Sequence, residues 1–245
     1  MDYTPDKYFY RSYCNRSAGR LRSGRWHRGH EPLTGNALLR EFDHHWMREN
    51  KQRTALVSVT DRPLEALHRA LAEYYDTNED PGSIWIVIIR VPDAGNNDGP
   101  HYARRLAQRY LDADAFKHEY VFEWEIPQRY VEHCVCVKTL LDRRIETKID
   151  LGFRDFRSTR NALIKEIQDS DDAYSTGPLL GSLAQAFGTG AYTYEIAFHT
   201  LYNCLSVGDV DEIQQYIHFG RVDLGRSLDF SAIRSIELGI QDQLD

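Results

Sequence analysis

The chain has 245 residues and a formal net charge of −7, with 42% hydrophobic, 12% aromatic and 27% charged residues. That composition excludes a disordered or low-complexity chain. The longest apolar run, Ile84 to Ile89, is far short of the roughly 20 residues a bilayer-spanning helix needs. The polar and aromatic start, MDYTPDKYFY, lacks the apolar stretch of a secretory leader. Cys14, Cys134, Cys136 and Cys204 are too few for a disulfide scaffold. The expectation is a cytoplasmic protein with free thiols, or a mature fragment whose leader has been removed.

In chain order, Tyr8-Phe9-Tyr10 reads as a short aromatic strand ending at Arg11. Residues 11–30 then carry Arg11, Arg16, Arg20, Arg22, Arg25 and Arg28 and no acid. Such a run is either a solvated loop or a phosphate-binding surface, because the guanidinium fork fits phosphate oxygens. Residues 54–60 (TALVSVT) alternate, with Leu56, Ser58 and Thr60 on one face and Ala55, Val57 and Val59 on the other. Arg62-Pro63 opens a helix, in which Leu64, Leu67, His68 and Leu71 form an amphipathic face. Residues 83–91 (SIWIVIIRV) are the near-continuous β-branched run of a strand buried on both faces. Residues 93–100 form a loop, 102–110 a helix, and 120–126 and 130–137 two strands separated at Pro127.

Beyond about residue 150 the texture becomes helical, over 153–167, 179–187, 192–205, 210–219 and 230–244, with breaks at Gly177, Gly188, Gly190, Gly208 and Gly220. Residues 1–150 are charge-balanced, so the acidic excess lies entirely in 151–245. Two domains are expected, 1–150 and an acidic, mostly helical 151–245 that offers a surface for a partner protein. The acidic half also disfavours polymeric nucleic acid as a partner.

Metal and nucleophile motifs are weak. Cys134-Val135-Cys136 lacks a second pair, and His27, His30 and His44-His45 beside Asp43 lack ligand spacing. There is no G-x-S-x-G elbow, no phosphate-binding G-x-x-x-x-G-K-[ST], and no G-x-G-x-x-G after a strand. What remains is an ordered trio: Tyr10-Arg11 at a strand end, Ser58-Val59-Thr60 within a strand, and Glu119 opening EYVFEWEIP.

This order resembles the cholera-toxin and heat-labile-enterotoxin branch of ADP-ribosyltransferases, whose signature is Arg, then Ser-x-Ser or Ser-x-Thr, then Gln/Glu-x-Glu. The flanks agree: SVTDRPLEALHRA leads from strand to helix, SIWIVIIRVP ends at a proline, and Ile126-Pro127 follow Glu119 by seven and eight residues. Similar fragments occur in a large group of fungal proteins. The resemblance covers roughly residues 8–140.

It implies an α+β fold with a split β-sheet core and flanking helices. It also implies an enzyme that cleaves the nicotinamide–ribose bond of NAD, with NAD as substrate, no metal, and a protein or other acceptor. By resemblance, Glu119, Ser58 and Arg11 are catalytic, and Arg11, Tyr10, Ser58, Thr60 and His44 (or its neighbour His45) bind the dinucleotide. Glu123 and Glu125 compete with Glu119 as the family's glutamate. Lys117 stands two residues before Glu119, where toxins that modify arginine carry Gln or Glu, and its charge would repel a guanidinium. The same pocket would then serve an NAD glycohydrolase, or an inactive recognition domain. Secretion as a processed toxin or effector is compatible with the same resemblance.

Overall fold

The computed structural model describes residues 6–47, 52–92, 98–110, 112–148, 160–165, 173–205 and 230–245. The chain divides into two compact units, 1–138 and 139–245, a division somewhat earlier than the expected residue 150. Each unit is described by itself.

The first unit is α+β. In chain order it holds β1 (Lys7–Tyr13), α1 (Gly35–Trp46), β2 (Leu56–Thr60), α2 (Pro63–Thr77), β3 (Trp85–Val91), β4 (His101–Tyr102), α3 (Ala103–Leu106), β5 (Glu119–Glu123) and β6 (Val131–Cys136). The strands form one sheet in the order β4-β5-β2-β1-β3-β6, every described pairing antiparallel. β1 pairs with β3 along its whole length, and β2 with β5 likewise. Between β1 and β2 the register holds a single pair, Tyr10 opposite Thr60. The sheet therefore consists of two three-stranded halves joined at one rung.

The alternation in β2 does what its pattern predicts. Val57 and Val59 enter a core with Phe9, Val87, Ile89 and Phe122, while Leu56 turns to the other face with Val121, Leu38 and Phe42. β3 is buried on both faces, Ile86, Val87, Ile88 and Ile89 being fully enclosed. α2 begins at Pro63, buries Leu64, Leu67 and Leu71, and ends at Asn78 in the left-handed region. At roughly 1.5–3 kcal/mol for each fully buried large aliphatic side chain, these faces account for why the strands stay registered.

Several elements differ from the sequence pattern. Helix α1 is anchored by two buried residues in twelve, Leu38 and Phe42, too sparse an apolar stripe for the pattern to reveal. The expected helix over 102–110 shrinks to α3, with Tyr102 in β4 and a separate 3₁₀ turn following at Ala113–Phe116. β5 ends at Glu123 rather than 126, because Trp124 adopts φ 61, a conformation that is costly for a bulky residue. It is held there by the Trp124 N–H on the Ala55 carbonyl (2.6 Å), the Ser23 N–H on the Trp124 carbonyl (2.6 Å), and the indole N–H on the Glu31 carbonyl (2.8 Å).

The second unit is helical among its described residues. After α4 (Val137–Asp142), which straddles the division, come α5 (Ile145–Lys148), a helical stretch at 160–165, α6 (Ala173–Phe187), α7 (Ala191–Leu205) and α8 (Phe230–Leu244). Of the stretch expected over 153–167, residues 160–165 are described. The helix expected over 210–219, with Gly208 and Gly220, lies outside the described residues. Gly177 does not break a helix: it lies inside α6, where a Cβ would come within 2.4 Å of the Gly239 backbone on α8. It is a point of closest helix approach. Gly188, with φ 152, does mark the end of α6.

Candidate functional site

The site grows from the face that β2 shares with β5. The register sets Thr60 opposite Glu119 and Ser58 opposite Val121, so Ser58, Thr60 and Glu119 project from one side of the sheet. α1 docks on the same side through Leu38 and Phe42. The next position on that helical face is His45, at the i, i+4, i+7 spacing of Leu38 and Phe42.

The consequence is a chain of hydrogen bonds. His45 Nδ1 lies 2.7 Å from Thr54 Oγ1, and its Nε2 lies 2.6 Å from Ser58 Oγ. The Ser58 hydroxyl donates to Glu119 Oε1 at 2.8 Å. Every proton has a place if the imidazole is neutral with its hydrogen on Nε2, since Ser58 then accepts from His45 while donating to the carboxylate. Burial, and next the charge of Arg11, lower the His45 pKa to about 4, which secures that neutral form. Burial raises the Glu119 pKa, and Glu65 adds to the rise; the Ser58 hydrogen bond and the Arg69 charge oppose it. The carboxylate is thus held in a poorly solvated position by one short donor.

Arg11 enters this site from the seam between the halves. Its Nη1 donates to the Ser58 carbonyl at 2.6 Å, its Nε to the Arg20 carbonyl at 2.8 Å, and its Nη2 to the Gly19 carbonyl at 3.0 Å. Enclosure of the guanidinium, and then the nearby Arg69 charge, lower its pKa to about 10. Three of its five N–H groups are committed to carbonyls.

The other predicted residues fall in different places. Thr60 is buried; its Oγ1 accepts from the Arg62 N–H at 3.2 Å and donates to Glu65 at 3.0 Å, so it fixes the start of α2. Tyr10 is fully buried and offers no surface to a ligand. His44 is exposed, and it is His45 that reaches Ser58. Glu123 accepts from the Leu33 N–H at 2.6 Å and sits 2.8 Å from His101 Nε2; burial would raise its pKa, but these two partners bring it below the ordinary value. Glu125 pairs with Arg22 at 3.1 Å. Of the three glutamates, Glu119 is the one bonded to Ser58.

Three of the six arginines in the run are paired with carboxylates within the protein. Arg16 pairs with Glu73 and Glu79, Arg22 with Glu125, and Arg25 with Glu41. The free thiols include Cys134 and Cys136 on β6, and burial pushes the Cys134 thiol up, away from reactivity. Among the described residues no three His, Cys, Asp or Glu side chains cluster as a metal site requires, and no helix is long and apolar enough to cross a membrane.

Sequence reasoning missed Thr54, Glu65 and Arg69, and named His44 with His45 only as its alternative. The Leu38, Phe42 and His45 spacing was the available signal for the histidine. Glu65 and Arg69 stand at i, i+4 on α2 and pair with each other, a spacing that reads as an ordinary surface ion pair of a helix and gives no sign of their nearness to Glu119.

The architecture that carries this site is an α+β domain with a six-stranded antiparallel sheet. The chain belongs to the family DUF7587, a domain of unknown function, whose model matches residues 4–140. No curated protein and no solved structure matches it.

Proposed function

We propose that the first unit binds NAD and breaks its nicotinamide–ribose bond, passing ADP-ribose to an acceptor. The observation that carries this is the convergence on Ser58: its hydroxyl links His45 to Glu119, and its carbonyl holds Arg11. Cleavage of the C1′–N bond releases neutral nicotinamide and leaves a ribosyl centre with oxocarbenium character, as in glycoside cleavage. A carboxylate fixed beside that centre stabilises the developing positive charge without reorganising, and the Ser58 bond fixes Glu119. The remaining N–H groups of Arg11 would take a phosphate or ribose oxygen. The acceptor then adds at C1′ and loses its proton.

Lys117 caps the 3₁₀ turn just ahead of Glu119 and favours a second reading in which water is the acceptor, since like charge opposes an incoming guanidinium. A domain that binds without turnover is the remaining form of the proposal. Incubation of the purified chain with NAD labelled in the adenylate tests all three. Release of free nicotinamide marks an enzyme, and label on protein marks a transferase. Absence of nicotinamide release at high enzyme concentration would overturn catalysis.

A further inference from the structure

A second feature of the first unit, separate from Ser58, is a groove of about 510 Å³ around the β4 edge of the sheet. Lys7 of β1, His101 and Tyr102 of β4, Arg105 of α3 and Tyr120 of β5 line it. Strand alternation turns Tyr120 to the opposite side of the sheet from its neighbour Glu119, and the Phe9 ring lies 4.7 Å from it in the core. Tyr102 and Tyr120 stack with centroids 5.0 Å apart and planes inclined by 28°. The wall is fixed in place: the Tyr102 hydroxyl donates to the Lys117 carbonyl at 3.0 Å, and His101 is held by Glu123. Lys7 and Arg105 are exposed, and no acidic side chain is among the described lining residues. In a chain of net charge −7, a groove with two cations and no acid marks a preference for an anion.

We propose that this groove binds a mononucleotide, its base against the Tyr102–Tyr120 wall and its phosphate on Arg105 and Lys7. The volume lies within the range of small-ligand sites. Aromatic faces accept a base whatever its identity, at roughly 1–3 kcal/mol for each stacked base. An arginine supplies the planar fork that phosphate takes. A strand of nucleic acid presents the same base and phosphate, but two cations suit one phosphate and not a track of them, so the free nucleotide is the ligand. The groove goes beyond the NAD-cleaving function and does not depend on it.

The test is titration calorimetry on the full chain at low ionic strength, with adenosine 5′-monophosphate, adenosine, inorganic phosphate and an eight-residue oligodeoxyadenylate as probes. The mononucleotide should bind at least 10-fold more tightly than adenosine or phosphate, because base and phosphate are engaged together. Arg105→Glu, at an exposed position, should weaken it 10-fold or more with the melting temperature unchanged, and Lys7→Glu should weaken it to a similar extent. Equal affinity for phosphate and the mononucleotide would overturn the stacking role. Tenfold tighter binding of the oligonucleotide would overturn the free nucleotide as ligand. Binding that survives Arg105→Glu but is lost in Arg11→Lys would place the probe at the Ser58 site and overturn the groove altogether.

Discussion

Glu119 faces Thr60 across the β5–β2 ladder, yet its carboxylate bonds Ser58, two residues along β2, at 2.8 Å. Thr60 is engaged elsewhere, by Glu65 and the start of α2. The two hydroxyls of the Ser-x-Thr pair are therefore divided: one holds the carboxylate, the other holds the helix.

Glu119→Gln should separate function from stability. Burial raises the Glu119 pKa, so the ionised carboxylate is disfavoured where it stands and its neutral isostere relieves that penalty. The melting temperature at pH 7 should stay level or rise, while nicotinamide release falls by about 10²-fold or more, the range for a preorganised electrostatic group. Parallel melting curves and nicotinamide assays check both halves. A drop in both would make Glu119 a structural residue.

Arg11→Lys should destabilise the first unit even without NAD. A single ammonium cannot reach three carbonyls on Gly19, Arg20 and Ser58 in the geometry the guanidinium uses. The loss should be about 2 kcal/mol or more, the order expected for hydrogen bonds to a charged group, read as a lower urea midpoint. An unchanged midpoint would show that these bonds are replaced by water at no cost.

His45 makes stability depend on acid. Its folded pKa of about 4 lies below the ordinary histidine value of about 6.5, so the unfolded chain takes up a proton that the folded chain does not. By linkage, the stability present above pH 6.5 is lost progressively as the pH falls toward 4. His45→Gln offers a donor and an acceptor without titrating and should flatten this part of the curve. Melting temperatures from pH 7 to pH 4.5 for both proteins provide the comparison.

Gly239→Ala should weaken the second unit although alanine is the better helix former by about 1 kcal/mol. The added methyl would lie 2.4 Å from the Tyr174 carbonyl oxygen. Pro178, four residues on, cannot donate an N–H to that carbonyl, and Gly239 packs against it. Overpacking of this kind costs about 1–3 kcal/mol, to be seen as reduced amide protection in α6 and α8.

Lys117 sets acceptor preference in the proposed reaction. The native chain should not label agmatine, a free mimic of the arginine side chain, and Lys117→Glu should give at least weak labelling by exchanging repulsion for attraction. Efficient labelling by the native chain would remove Lys117 from the acceptor path.

What the sequence discloses depends on how strongly burial dictates each residue. β3 and α2 were legible because their apolar residues are enclosed on both faces or along a full stripe. α1 was hidden because Leu38 and Phe42 alone secure it. The early end of β5 was hidden for a different reason: Trp124 takes a left-handed conformation only because Ala55, Ser23 and Glu31 bind it from distant parts of the chain. At the candidate site, Ser58 and Glu119 share a face by alternation and by the register of β2 on β5, whereas β1 runs on to Tyr13 instead of ending at Arg11, which reaches Ser58 through the backbone carbonyl. The commitment of Arg11 to Gly19 and Arg20 depends on how residues 14–34 return across the sheet, which no local pattern encodes.

The single rung between β1 and β2 gives two central strands the chemistry of margins. Backbone amides and carbonyls at the rim of a sheet are what recruit an additional strand, and proteins usually blunt them. Here comparable main-chain groups flank an interior seam, and the Arg11 guanidinium takes one of them, the Ser58 carbonyl. With one rung between them, the two halves are tied to each other by fewer backbone hydrogen bonds than hold either half together. Amide exchange along β2, fully paired on one side, should therefore outpace exchange in β3, which is paired on both.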